Sequence, residues 1–430
     1  MKVLMFGWEF PPHIAGGLGT ACEGIVKGLA HNGVETLFVM PCASGDEDQS
    51  CATILSASDV AVKYVSDTVE EFLDKVKFIS VDSSMVPYVD PDEYFEAIEK
   101  MKREHVREVT VGFGQKFKFS GKYGANLLEE VSRYAQVGGT IALQHAGEFD
   151  VIHAHDWLTY LAGIAAKELS GKPLVVHVHA TSFDRGTDDM VDSRVYAIEK
   201  RGMEAADRVV TVSDLTRNIV INKYGIDPAK VVTVHNAVDF SGRENLQVER
   251  GVKDKVVTFL GRITFQKGPE YFIEAAAKVL KRTKNVRFVM AGSGDMMHRA
   301  IRQVARLGIS DRFHFTGFLR GQEVQKMFAL SDVSIMPSVS EPFGISPLEA
   351  MRSNVPSIIS HQSGAAEVLK YALKVDFWDV DAMADDIYAL LQYPALSDFA
   401  NRQGFDEVNA LKWNNATAKL KKVYESVVNQ

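Results

Sequence analysis

At 430 residues, with a formal net charge of −8 and a pI near 5.9, the chain is long enough for two α/β domains. It lacks the basic stripe that neutralising a nucleic-acid backbone requires. Hydrophobic residues make up 46% and charged residues 24%, the balance of a globular enzyme rather than of a disordered or fibrous chain. No apolar run approaches the roughly 18–20 residues of a membrane span. The three cysteines, Cys22, Cys42 and Cys51, show no C-x-x-C pairing, which argues against a disulfide framework or zinc knuckle and for a reducing, cytoplasmic compartment.

Along the chain, short runs rich in Val, Ile, Leu and Phe alternate with segments of helical period, the arrangement of parallel sheets wrapped by crossover helices. The opening MKVLMFGWEF has one basic residue and an apolar run that soon meets Pro11 and Pro12. It lacks the h-region and cleavage site of a signal peptide and reads as a buried strand over Val3–Phe6. After a long insertion of mixed signals at about 44–126, the pattern predicts strands at Val151–Ala154, Leu174–Val178, Arg208–Val212 and Val231–Val234. The aperiodic polar stretch DFSGRENLQVERGVKD ends this first domain, 1–240, and supplies a linker over 241–254. A second series, within a domain spanning 255–412, has strands at Val256–Leu260, Arg287–Ala291, His314–Thr316, Val333–Met336 and Ser357–Ser360. The last segment, LKWNNATAKLKKVYESVVNQ, reads as a helix over 413–430, with Leu411, Leu420, Val423, Tyr424 and Val427 on an apolar face that can pack back on the first domain or cap the second. The expected class is α/β, with two doubly wound domains.

Three motifs at strand ends carry chemistry. The stretch HIAGGLGTACEG follows a strand and opens a helix, where Gly16 and Gly17 let the backbone approach an anion; a plain tight turn explains the pair about as well. In FLGRITFQKGPEYF, Arg262 and Lys267 lie beyond a strand's carboxyl end, the edge at which open α/β sheets bind ligands. Together they can hold both phosphates of a nucleotide sugar and stabilise charge on a leaving diphosphate without a metal ion. In PSVSEPFGISPLEAM, Glu341 and Glu349 are eight residues apart, one on a loop and one in a helix. Glu341 can accept hydrogen bonds from sugar hydroxyls and Glu349 from a ribose, while the Phe343, Gly344 and Ile345 amides face the donor. A glycosidase-like acid pair is the alternative, ranked lower because it gives the basic pair no purpose.

Alternation places His153 with His155 on one face of a strand and His177 with His179 on one face of another strand. Their spacing matches no zinc motif, so no metal site is expected and hydrogen-bonded histidines are the ordinary reading. His179, at a strand's carboxyl end, is assigned to the sugar. Asp156 and Trp157 can shape an acceptor site, with Trp157 equally suited to the core.

The pattern G-R-x4-K-G followed by E-P-F-G-x3-L-E resembles the donor half of retaining GT-B glycosyltransferases, whose two Rossmann-like domains face a central cleft. The Gly-Gly turn, HAHDW at 153–157 and VVHVHATSFD at 175–184 are similar to glycogen and starch synthases and their bacterial relatives. The resemblance implies that Arg262 and Lys267 grip the donor diphosphate, Glu341 the transferred sugar and Glu349 the ribose. It sets His179 beside the reacting sugar and Gly17 beside the distal phosphate. It places the nucleotide base near Gly292, Phe318, Leu319 and Arg320. One position departs: Ile14 stands where the synthases carry the lysine of K-x-G-G, which argues against their ADP-glucose specificity.

The resemblance further implies metal-independent transfer of a hexose, glucose, from UDP- or ADP-glucose, with no bound cofactor. The acceptor it suggests is a growing α-1,4-glucan, helped by aromatics such as Tyr88, Tyr94, Tyr123 and Tyr160. No nucleophile for a covalent intermediate stands out, so the route implied is front-face. Relatives also act on other polysaccharides, lipid-linked sugars or small molecules, and these acceptors stay open. Two rivals come from other classes: a non-catalytic nucleotide-sugar sensor, and a glycan phosphorylase, which would need pyridoxal phosphate.

Overall fold

The computed structural model describes residues 1–13, 17–67, 69, 112–121, 123, 126–186, 191–238, 248–319 and 321–429. The chain forms two compact units. The first comprises Met1–Phe183, Thr187–Ala237 and Trp413–Gln430; the second comprises Val238–Lys412 with the short segment Asp184–Gly186.

The first unit is built on a parallel sheet of seven strands: β1 (Lys2–Phe6), β2 (Glu35–Met40), β3 (Thr53–Ser56), β4 (Val151–His155), β5 (Leu174–Val178), β6 (Arg208–Thr211) and β7 (Val231–Thr233). Their order is β3-β2-β1-β4-β5-β6-β7. The central strands β1, β4 and β5 are almost wholly buried, which is why, after Lys2 at the start of β1, their sequences read as continuous apolar runs broken only by histidines. The helices include α1 (Gly17–His31), α2 (Leu127–Gln144), α3 (Trp157–Ser170), α4 (Ser193–Ala205) and α5 (Asp214–Tyr224).

The second unit repeats the plan with six strands: β8 (Lys255–Leu260), β9 (Val286–Ala291), β10 (Phe313–Gly317), β11 (Val333–Met336), β12 (Ser357–Ser360) and β13 (Leu373–Val375). Their order is β10-β9-β8-β11-β12-β13, again parallel throughout. Helices α6 (Pro269–Arg282), α7 (Met297–Arg306), α8 (Gln322–Leu330), α9 (Ser346–Arg352), α10 (Ala365–Val368), α11 (Val380–Gln392) and α12 (Pro394–Ala410) complete it. In both sheets the strand order reverses once, between β1 and β4 and between β8 and β11. Each is therefore a doubly wound Rossmann-like domain with one topological switch point, where ligands bind outside the carboxyl ends of the strands.

Three strands do not figure among those the sequence predicts. β2 is an apolar run standing directly before the segment read as an insertion. β3 and β13 are short edge strands, partly exposed and so without a continuous apolar signal. The described parts of 44–126 are integral to the first unit: β3 extends its sheet, and Val62, Val69, Phe117, Phe119 and Tyr123 join its core.

The last helix, α13 (Trp413–Val428), belongs to the first unit and packs along α1. Leu411 lies before it, at the end of α12; the buried face is Trp413, Ala416, Thr417, Leu420, Val423, Tyr424 and Val427. The two helices approach closely because α1 presents Gly24 and Gly28. A Cβ on Gly24 would lie 2.2 Å from the Trp413 ring, and one on Gly28 would lie 2.6 Å from Thr417 Oγ1. Among the described residues no helix is long and apolar enough to cross a membrane.

Candidate active site

In the second unit, the loop after β8 carries Arg262 and a single 3-10 turn, Phe265–Lys267, carries Lys267. The loop is locked to the one after β9 by main-chain bonds: Gly261 N–H donates to Ala291 O (3.0 Å), Ile263 N–H to Ser293 O (2.8 Å) and Met296 N–H to Ile263 O (3.0 Å). Contact is so tight that a Cβ on Gly292, at φ 143, would lie 1.8 Å from Gly261 O. Gly292 thus has a packing role, holding the arginine loop in place. Gly292→Ala is expected to lower stability by about 1–3 kcal/mol, through strain and a forced backbone shift, as read by denaturant unfolding. An unchanged midpoint would show that the two loops are not packed this way.

The same loop is joined to the one after β11. Gly268, left-handed at φ 65, lets the chain pass Pro337, whose carbonyl oxygen would sit 2.1 Å from an added Cβ, and Val339 N–H donates to Gln266 O (2.8 Å). These contacts bring Lys267 onto Glu341: the ammonium forms an ion pair with the carboxylate. Glu341 is only 6% exposed and also accepts a bond from Ser338 Oγ (3.3 Å). Its backbone is pinned on both sides, its N–H to Gln362 O and its C=O to Gly364 N–H, each at 2.9 Å. Arg262 donates to Gln266 Oε1 (2.8 Å), and burial raises the carboxyl pKa of nearby Asp295, with the Arg262 charge opposing that rise. Arg262, Lys267 and Glu341 thus gather at the switch point of the second sheet.

In the first unit, β4 and β5 run in register, His155 opposite His177, and this places all four histidines on one face. Their ring centroids lie 4.2–5.3 Å from neighbours. His155 Nδ1 and His179 Nε2 are 2.9 Å apart, and the Tyr424 hydroxyl of α13 meets His153 Nδ1 at 2.8 Å. Burial drives all four imidazoles far below the ordinary histidine range, His179 to about 3, so each is neutral near pH 7. Asp156 has a left-handed backbone (φ 56), and its Oδ1 accepts the N–H groups of His179 (2.7 Å) and Ala180 (3.3 Å).

The glycosyl transferases group 1 family model matches residues 243–404, and that of glycosyltransferase family 4 matches 90–241. Over nearly its whole length the chain is similar to an uncharacterized glycosyltransferase of Methanocaldococcus jannaschii, at 27% identity over 448 residues, 99% of this chain and 98% of the relative. The glycogen synthase of Mycobacterium tuberculosis is 23% identical over 431 residues, 99% of this chain and 94% of that protein. The D-inositol 3-phosphate glycosyltransferase 2 of Catenulispora acidiphila is 28% identical over 316 residues, 66% of this chain and 72% of that protein. In fold it is similar to sucrose-phosphate synthase from Thermosynechococcus elongatus, with a TM-score of 0.72 at 16% identity, covering 99% and 98% of the two chains. HepE of Anabaena, solved in complex with UDP-glucose, gives 0.66 at 16% identity over 99% and 100%. Residues 243–404 are a glycosyl transferases group 1 domain, in a chain of the GT-B fold.

In this glycosyltransferase the remaining candidates fall in several environments. Glu349 is half-buried in the first turn of α9, after buried Phe343, Gly344 at φ 97 and half-buried Ile345. Phe318, 50% exposed, and Leu319 follow β10. Gly17 is the exposed first residue of α1; Gly16, Ile14, Arg320, Tyr88 and Tyr94 lie outside the described residues. Two acceptor candidates are corrected. Tyr160 is 1% exposed, packed on Gly202 with its hydroxyl donating to His177 O (3.2 Å), and Trp157 is buried too; both fill the core of the first unit and present no face to a glycan. Tyr123 is likewise buried. Asp156, read as an acceptor ligand, spends one carboxylate oxygen on the His179 and Ala180 amides.

Some contributors carried no sequence signal. Glu9 caps α1 by accepting from Gly19 N–H (3.0 Å), and Gln266 and Ser338 support Arg262 and Glu341. As for metals, His153, His155 and His177 offer ring nitrogens within 4.8 Å of one another. His177 nevertheless lies nearly parallel to both other rings, at interplanar angles of 24° and 23°, which is a ladder of rings rather than lone pairs aimed at one centre.

Proposed function

We propose that this glycosyltransferase moves glucose from a nucleotide-diphosphate sugar onto a growing α-1,4-glucan with retention of configuration and without a metal ion. The observation that carries the reading is the Lys267–Glu341 pair beside Arg262 at the switch point of the second sheet. A cation shared between a buried carboxylate and a diphosphate links the two ends of one donor. Lys267 and Arg262 hold the phosphates, and Glu341 takes hydroxyls of the sugar. In the front-face route the bond from the anomeric carbon to the phosphate oxygen breaks as the acceptor oxygen bonds on the same face. The acceptor's proton passes to the departing phosphate, so no protein nucleophile is required. UDP-glucose is the first donor to test, given Ile14 in place of the K-x-G-G lysine and the UDP-glucose complex of the similar HepE fold. The glucan acceptor draws support from the glycogen synthase similar over almost the whole chain.

A second reading, transfer to a small phosphorylated acceptor, draws on the D-inositol 3-phosphate glycosyltransferase relative. Release of nucleotide diphosphate from UDP-, ADP- and GDP-sugars separates the two, measured with maltooligosaccharides, glycogen or inositol phosphate and with EDTA present. Glucan-dependent release with an α-linked product by NMR is the expected result. Release with inositol phosphate alone would keep the transferase and replace the acceptor. Donor binding without release across the panel would favour a sensor.

A further inference from the structure

His155 has no part in the mechanism above, yet its Nδ1 lies 2.9 Å from Nε2 of His179, whose ring also stacks on His177. It is fully buried, and its second nitrogen, Nε2, has no hydrogen-bond partner among the described residues. The next residue, Asp156, holds the backbone of His179 through its amide and keeps an unfavourable left-handed conformation to do so. Consecutive residues therefore fix both the main chain and the ring of His179.

Both rings are neutral, so one nitrogen of the contact carries the hydrogen and the other accepts it. If His155 accepted at Nδ1, its own hydrogen would sit on Nε2 as a buried donor with nothing to receive it. If it donates from Nδ1, only a lone pair goes unmatched, and buried donors are the more rarely orphaned of the two kinds of group. We propose that His155 is a positioning residue that donates from Nδ1 to His179 Nε2 and so holds His179 as the Nδ1–H tautomer, presenting a hydrogen-bond donor at Nδ1 to an oxygen of the bound substrate. The proposal rests on the reading of His179 as the residue beside the reacting sugar.

The test uses the full chain labelled with 15N in its 12 histidines. Two-bond 1H–15N spectra assign tautomers, and His179→Gln identifies the His179 signals. The wild type should show His179 protonated at Nδ1. His155→Asp, whose carboxylate can only accept where Nδ1–H donates, should shift His179 to the Nε2–H form. It should also lower kcat about 10- to 100-fold with little change in donor KM, the usual cost of losing an outer partner of a functional imidazole. His155→Asn, whose side-chain N–H stands near the position of Nδ1–H, should restore the tautomer and part of the rate, and it carries the test if the aspartate variant does not fold. An Nε2–H tautomer in the wild type, or no change of tautomer on losing the donor, overturns the proposal. A wild type that turns over no donor but shows the Nδ1–H form would remove the transferase reading and leave the tautomer assignment standing.

Discussion

Lys267→Ala is expected to lower kcat for donor turnover by about 10²- to 10³-fold, the cost of deleting one preorganised group that stabilises transition-state charge. The ammonium is fixed by the turn Phe265–Lys267 and by its ion pair with Glu341, so no reorganisation is needed as charge grows on the leaving phosphate. The same substitution strands Glu341, which is 6% exposed, without its cation. Removing one partner of a buried pair costs about 3–5 kcal/mol, so stability falls as well. Lys267→Met combined with Glu341→Gln should recover most of that stability, because neither side chain then carries charge, while activity stays lost. Steady-state kinetics and denaturant unfolding on the three proteins separate the two effects. If the double variant regained turnover along with stability, the lysine would be a structural cation and the diphosphate assignment would fall.

Stability is expected to decline steeply as pH is lowered from 7.5 to 5. Burial holds His153, His155, His177 and His179 well below the ordinary histidine range, His179 at about 3. In the unfolded chain each imidazole titrates near ~6.5. Below that pH the unfolded chain takes up protons that the folded one refuses, so stability is full above about 6.5 and is lost progressively toward the folded pKa. His179 alone approaches a slope of about 1.4 kcal/mol per pH unit within this window, and the other three add in the same direction. Denaturant midpoints at pH 7.5, 6.5, 5.75 and 5 measure the decline, and His177→Phe should flatten it by removing one of the titrating rings. A midpoint that does not move over this range would mean the four rings are hydrated and protonate freely in the folded protein.

Much of this architecture is legible in the chain itself. Alternation of apolar runs with helical segments locates ten of the strands, because strands buried on both faces must be continuously apolar. The spacing G-R-x4-K-G and E-P-F-G-x3-L-E marks where the second sheet presents its carboxyl edge. Edge strands β3 and β13 escape that reading because one side of each is wet, and Tyr160 misleads it because a tyrosine has the same letter in a core as in a sugar-binding groove.

By itself, the sequence determined the α/β class, the two series of parallel strands and the residue types at the strand ends, since these follow from periodicity and from the conformational demands of Gly and Pro. Tertiary structure alone decided which of those residues meet. Strand order put β8 beside β11 and so set Lys267 on Glu341, 74 residues away. Register aligned His155 with His177 and completed the ladder, and packing on α1 delivered Tyr424 to His153 across 271 residues. Such contacts depend on how whole elements pack and pair. Local propensity, which acts over a few residues, carries no information about them.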